Sequence, residues 1–87
     1  MPYRLRLESL DDEPAERDFE SASEAIDYAQ HWFLEGYAND TIDDAGRAAA
    51  QAYVPTLRAA LQAGHEFACG MFHERISFVP QSDTAGQ

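Results

Sequence analysis

Three residues of types that bind zinc recur at intervals of four near the carboxyl end of the chain: His65, Cys69 and His73. On a helix the two histidines would stand about 12 Å apart along the axis, and on a strand about 26 Å apart. Neither arrangement lets three zinc bonds of about 2.0–2.3 Å converge. We therefore expect no metal and no cofactor here. Cys69 alternates with Phe67 and Met71, which favours a small apolar side chain rather than a nucleophile.

No other group of residues predicts a reaction. The sequence contains no Gly-rich phosphate loop, no G-x-S-x-G and no CxxC. Several carboxylates lie close together, but nothing distinguishes one of them as an acid with a raised pKa. We expect a protein that is not an enzyme and has no catalytic residues. The alternative is a metal-dependent enzyme or sensor in which at most two of the three residues above chelate the metal, with His31 or a carboxylate supplied from elsewhere.

The charge of the chain excludes several classes of partner. The 87 residues include 16 acids and 6 basic residues, all arginine, for a net charge of −10. This balance argues against direct binding to nucleic acid and to an anionic membrane. No apolar run approaches the roughly 18 residues of a membrane span, and the amino terminus lacks the apolar stretch of a signal peptide. A single cysteine allows no internal disulfide, so we expect a cytoplasmic protein.

The acidic residues are concentrated in one part of the sequence. Residues 8–44 hold thirteen acids and one arginine, whereas residues 1–7 carry only two arginines and residues 45–87 sum to zero. Repulsion within such a segment costs folding free energy, which favours a positively charged partner. The alternative is a solvated surface that keeps the protein in solution.

One row of acids falls on a predicted helix. At about 100° per residue, Glu24, Asp27, His31 and Glu35 share an arc of about 80°, and Glu20 would join them if the helix began early enough. Carboxylates at such spacing accept arginine side chains much as phosphates do. Acids before and after this helix would extend the negative field. The predicted partner-binding residues are Asp11, Asp12, Glu24, Asp27, Glu35, Asp43 and Asp44.

The first half of the chain must position this row. Alternation from Tyr3 to Leu7 predicts a strand, residues 11–14 a turn, and residues 17–20 a short return strand. Ser21 followed by Glu24 fits a capping box and predicts a helix that ends near residue 37.

A second helix is predicted over residues 42–63. Thr41 with Asp44 gives its start signal, and helical spacing continues through Pro55, so we favour one kinked helix over two. Gly64 ends it, and period-two spacing then predicts one or two strands that pair with the amino-terminal strand. Whether residues 65–73 form a strand or a helix stays open. The predicted apolar stripe of this helix comprises Ile42, Ala45, Ala49, Ala52, Tyr53, Leu57, Ala60 and Leu61.

Together these elements predict an α+β fold. A small antiparallel sheet, built from amino- and carboxy-terminal strands, would pack against two α-helices in a single domain over residues 1–80. Residues 81–87 are polar and without periodicity, which predicts a disordered tail.

The chain as a whole resembles the small acidic inhibitors encoded by phages and mobile elements, in particular the anti-CRISPR proteins. The resemblance rests on the acidic segment 8–44 and on residues 17–21, which lead into an acidic amphipathic helix. It is a resemblance of class rather than of motif. It implies a non-enzymatic inhibitor that binds the basic surface of a nucleic-acid-binding protein or effector complex, and blocks that site by charge mimicry or occlusion. The alternative is a cytoplasmic structural or regulatory module that self-associates, for instance as a homodimer, through a sheet edge or the Ala-rich helix.

Overall fold

The computed structural model describes residues 3–10, 13–38, 42–69 and 73–79. Asp11, Asp12, Thr41 and the predicted tail over residues 81–87 lie outside them. The fold is α+β, as the sequence predicts. Its elements are β1 (Tyr3–Glu8), β2 (Ala15–Phe19), α1 (Ala22–Glu35), α2 (Asp44–Gln62), β3 (Phe67–Cys69) and β4 (Glu74–Phe78).

The strands form one antiparallel sheet in the order β2-β1-β4-β3. β1 lies between the hairpin partner β2, where Tyr3 is opposite Phe19, and the last strand β4, where Leu7 is opposite Ile76. The predicted pairing of the two chain ends is therefore confirmed for β4. β3 pairs with β4 instead of β1. Of residues 65–73, for which the sequence left strand or helix open, residues 67–69 form a strand.

Both helices lie on the same face of the sheet. α1 packs over β1 and β2, and α2 packs over β3 and β4. The core between the layers includes Leu5, Leu7, Phe33, Leu57 and Ile76, each at most 1% exposed. Within the described ranges no helix covers the opposite face of the sheet, which carries the charged residues Arg4, Arg6, Glu16, Asp18 and Arg75.

α1 forms as predicted from its cap. Ser21 is the N-cap, and its hydroxyl accepts a hydrogen bond from the backbone N–H of Glu24 at 3.1 Å. Because the helix begins at Ala22, Glu20 precedes it. The side that faces the sheet consists of the buried residues Ala25, Ile26, Ala29 and Phe33.

α2 begins at a different cap from the one that the sequence suggested. Asp43 is the N-cap, and its carboxylate accepts the backbone N–H of Gly46 at 2.8 Å. The helix continues through Pro55 as one element, as predicted. It ends where Gly64 takes φ +78° and the N–H of His65 bonds to the carbonyl of Ala60 at 2.8 Å. This is the left-handed ending that glycine accommodates best.

The inward side of α2 differs from the predicted stripe. Ala45, Ala49 and Ala52 are exposed, so their assignment to the buried side was wrong. Alanine is apolar but contributes little area, and an Ala-rich helix offers several equivalent stripes. The larger Leu57 and Leu61 decide between them. The buried residues of the helix are Gly46, Ala50, Leu57 and Leu61.

One buried carboxylate joins the ends of α1 and β4. Glu74, the first residue of β4, is 3% exposed. The hydroxyl of Tyr37, in the turn after α1, donates a hydrogen bond to its Oε1 at 3.3 Å. Burial of a carboxylate is costly unless it is hydrogen-bonded, so this contact helps to fix the turn at the end of α1.

Candidate functional site

The acidic row on α1 lies on the solvent side of the helix. All four members are exposed: Glu24, Asp27, His31 and Glu35. The residues between them form the side of α1 that packs on the sheet. From Glu24 to Glu35 the row extends about 16 Å along the helix axis. The structure therefore places these four side chains together, as the spacing predicts. We call Glu24, Asp27, His31 and Glu35 the acidic row.

The members of the row differ in their partners. The carboxylate of Asp27 lies 3.0 Å from Nη1 of Arg58, an arginine that reaches across from α2. Glu35 lies 3.5 Å from Nε2 of His31, one turn earlier. For Glu24 and Glu35 the described residues provide no arginine within ion-pair distance. The row thus keeps most of its negative charge at its two ends.

An open groove of about 400 Å³ runs along the same side of α1 and into the turn after it. Its apolar part comes from Leu34 and Ala38, and its polar part from Gln30 and from three members of the row, Asp27, His31 and Glu35. The carboxylates of Asp27 and Glu35 line it together with the aliphatic groups of Leu34 and Ala38. Such a surface can hold the charged head and the aliphatic stem of a long cationic side chain at the same time. The lining residues are Asp27, Gln30, His31, Leu34, Glu35 and Ala38.

Two predicted contact residues lie at the start of α2. Asp44 is fully exposed, with its Oδ1 3.8 Å from Nη1 of Arg47. Asp43 is exposed too, but one of its oxygens is engaged as the helix cap. The remaining two predicted contacts, Asp11 and Asp12, lie outside the described residues.

Several other acids of the segment 8–44 are neutralised by arginines on the open face of the sheet. Arg4 donates two hydrogen bonds to Asp18, at 2.8 and 3.2 Å. Arg6 contacts Glu8 at 2.8 Å and Glu16 at 3.0 Å. Hydrogen bonds from these arginines hold the pKa of Asp18 and of Glu8 below their ordinary values. The open face is therefore a network of ion pairs and not a free negative surface.

Within the four described ranges, no group of three or more His, Cys, Asp or Glu side chains is placed to hold a metal ion. Trp32, which follows His31 on α1, is half-buried and packs against the core. No helix in the described part of the chain is long and apolar enough to cross a membrane.

Two features of the site were missed by the sequence reasoning. Arg58 and Gln30 were not singled out, because their meeting depends on how α1 and α2 pack. The sheet-face network was missed although its signal was present: Arg4 and Arg6 alternate on one strand, and Glu16 and Asp18 alternate on the next. In a hairpin, such residues face each other once the register is known.

The geometry defines a two-layer α+β domain with an acidic helix surface. Comparison with protein-family models, with curated proteins and with solved structures finds no match for this chain.

Proposed function

We propose that this protein is a non-enzymatic acidic inhibitor of the anti-CRISPR type, which binds the basic surface of a nucleic-acid-binding protein or effector complex. The acidic row would occupy that surface and exclude the nucleic acid. The observation that carries the proposal is the uneven pairing of the acids. Those on the sheet face are bound by arginines, whereas Glu24 and Glu35 stand exposed on α1 with no arginine at ion-pair distance in the described structure.

This distribution suits an electrostatic partner. A row of exposed carboxylates on a rigid helix presents charge at fixed spacing, and binding costs less when the groups are already ordered. A negative surface also steers a positive partner and accelerates association at low salt. Arginines of a nucleic-acid site recognise carboxylates with the same planar group that they offer to phosphates.

The test compares three baits in a capture experiment from lysate of the source or natural host. The baits are wild type, Glu24→Gln/Glu35→Gln, and the control Glu66→Gln/Ala68→Lys. Both variants change the net charge of −10 by +2. The control residues are exposed and belong to β3 and its approach, at the sheet edge farthest from α1.

We expect wild type and the control to retain a nucleic-acid-binding protein, identified by mass spectrometry, and the α1 variant to lose it. High salt and added nucleic acid should each release it. Equal capture by all three baits would contradict the role of the acidic row. Recovery of the chain alone would favour the self-associating module, for which the exposed alanines of α2 offer an uncharged surface.

A further inference from the structure

Arg58 is the one arginine that reaches the acidic row in the described structure. It is one-third exposed, and its Nη1 donates hydrogen bonds to Oδ1 of Asp27 at 3.0 Å and to Oε1 of Gln30 at 2.8 Å. Both acceptors line the groove on α1. A guanidinium from α2 therefore already occupies the position that a cationic side chain of a partner would take.

This contact reduces the net negative charge at the middle of the acidic row. Asp27 lies between Glu24 and Glu35, and Arg58 neutralises it while leaving the ends charged. Any arginine of a partner that approaches Asp27 must share the carboxylate with Arg58 or displace it. An exposed ion pair is worth at most about 1 kcal/mol, so displacement is feasible.

We propose that Arg58 is an internal competitor that lowers the affinity of the acidic row for an arginine-bearing partner and so restricts binding to partners with several cationic side chains. This inference rests on the proposed function, since it assigns a regulator to the same surface. A partner with one arginine gains little at Asp27, whereas a partner with an arginine cluster also engages the two open ends.

The experiment measures binding of a fluorescent nona-arginine peptide at low salt. The test variant is Arg58→Gln, which keeps much of the side-chain stem and removes the charge. The matched control is Arg75→Gln, which also removes one arginine from one exposed carboxylate, Glu66 at 3.1 Å, but on the open sheet face. Both variants have the same net charge, and circular dichroism verifies that each is folded.

Arg58→Gln should bind the peptide more tightly than Arg75→Gln by up to about fivefold, the worth of one exposed ion pair. The gain should vanish in the double variant Asp27→Asn/Arg58→Gln, because the uncovered carboxylate is then absent. Equal affinities of the two single variants would overturn the inference, and so would a gain that survives in the double variant.

Weaker binding by Arg58→Gln would also overturn it, because Arg58 would then support the surface by ordering Asp27. Failure of the proposed function has a different signature. In that case Glu24→Gln/Glu35→Gln would bind the peptide as tightly as Glu66→Gln/Ala68→Lys does.

Discussion

Asp18 and Glu24 are both exposed carboxylates in the acidic segment of the chain, yet their surroundings give them different roles. Arg4 donates a hydrogen bond to each carboxylate oxygen of Asp18. This bidentate geometry makes the ion pair stronger and fixes its orientation. The side chain of Glu24 has no arginine within ion-pair distance among the described residues. The first carboxylate therefore helps to hold β2 on β1, and the second is open to an external cation.

The Arg4–Asp18 pair predicts a dependence of stability on pH. Arg4 lowers the pKa of Asp18 in the folded protein, so the pair stabilises the fold fully above the unfolded pKa of about 3.9. That stabilisation is lost as the pH falls through the folded pKa. Asp18→Asn should therefore be less stable than wild type at pH 7, and the difference should shrink from about pH 5 to pH 2. Urea unfolding over a pH series measures it.

Glu13→Gln is the control for this prediction. It removes one charge from the same hairpin and leaves the Arg4 contact intact, so its stability at pH 7 should stay closer to wild type. An Asp18→Asn variant as stable as wild type at neutral pH would show that the ion pair adds nothing to the fold.

At the level of elements, β1 and α1 could be predicted because strong local signals agreed. The alternation of Tyr3, Leu5 and Leu7 fits a strand, and the Ser21 cap fits the start of a helix. Neither pattern fits another element as well. The inward side of α2 could not be predicted in the same way, because alanines lie on every side of that helix and only a few residues, among them Tyr53, Leu57 and Leu61, carry much apolar area. Which side of α2 faces the core was decided by packing against the sheet.

The same limit applies to the candidate site. The position of the acidic row follows from helical periodicity alone, and the structure agrees with it. The contact of Arg58 with Asp27 depends on the crossing of two helices, and the pairing of Arg4 with Asp18 depends on hairpin register. Residue spacing alone gives neither the helix crossing nor the hairpin register. The sequence therefore could not separate the acids bound by arginines from those without an arginine.

At the start of α2, the capping role of Asp43 and its negative charge can be tested separately. Asp43 caps the helix through Gly46 and is also a predicted partner contact. Asp43→Ala should lower the free energy of unfolding by about 1 kcal/mol because the cap is lost. Asp43→Ser keeps a capping oxygen and removes the charge, so it should be nearly as stable as wild type. Thermal and urea unfolding compare the variants.

The second half of this prediction concerns how strongly the two Asp43 variants bind the partner. If Asp43 contacts the partner through its charge, both variants should bind more weakly than wild type and to a similar degree. Full binding by Asp43→Ser, with loss only in Asp43→Ala, would assign Asp43 a structural role alone.

At the scale of the whole molecule, the charge divides differently in space than along the sequence. Arg4 and Arg6 come from the amino-terminal residues, and Arg58 comes from the second half of the chain. All three neutralise acids of the segment 8–44. Among the described residues, the open sheet face therefore carries acids paired with arginines, whereas Glu24 and Glu35 on α1 have no arginine within ion-pair distance.

This arrangement predicts how salt affects stability at pH 7. Salt screens interactions beyond about 10 Å at 0.1 M ionic strength, which weakens the repulsion among the acids of a chain with net charge −10. The arginine pairs at 2.8–3.1 Å are short enough to lose less. We therefore expect the Tm to rise as sodium chloride is increased from about 10 to 300 mM, a range in which the screening length falls severalfold.

The variant Glu24→Gln/Glu35→Gln tests the origin of that increase. It removes two carboxylate charges that no arginine pairs in the described structure, so its Tm should be higher than that of wild type at low salt and should rise less with added salt. A Tm that falls with salt would mean that the ion pairs of the sheet face outweigh the repulsion. The free charge of the acidic row would then impose no measurable cost on the fold, and the physical argument that it is kept for a positively charged partner would lose its support.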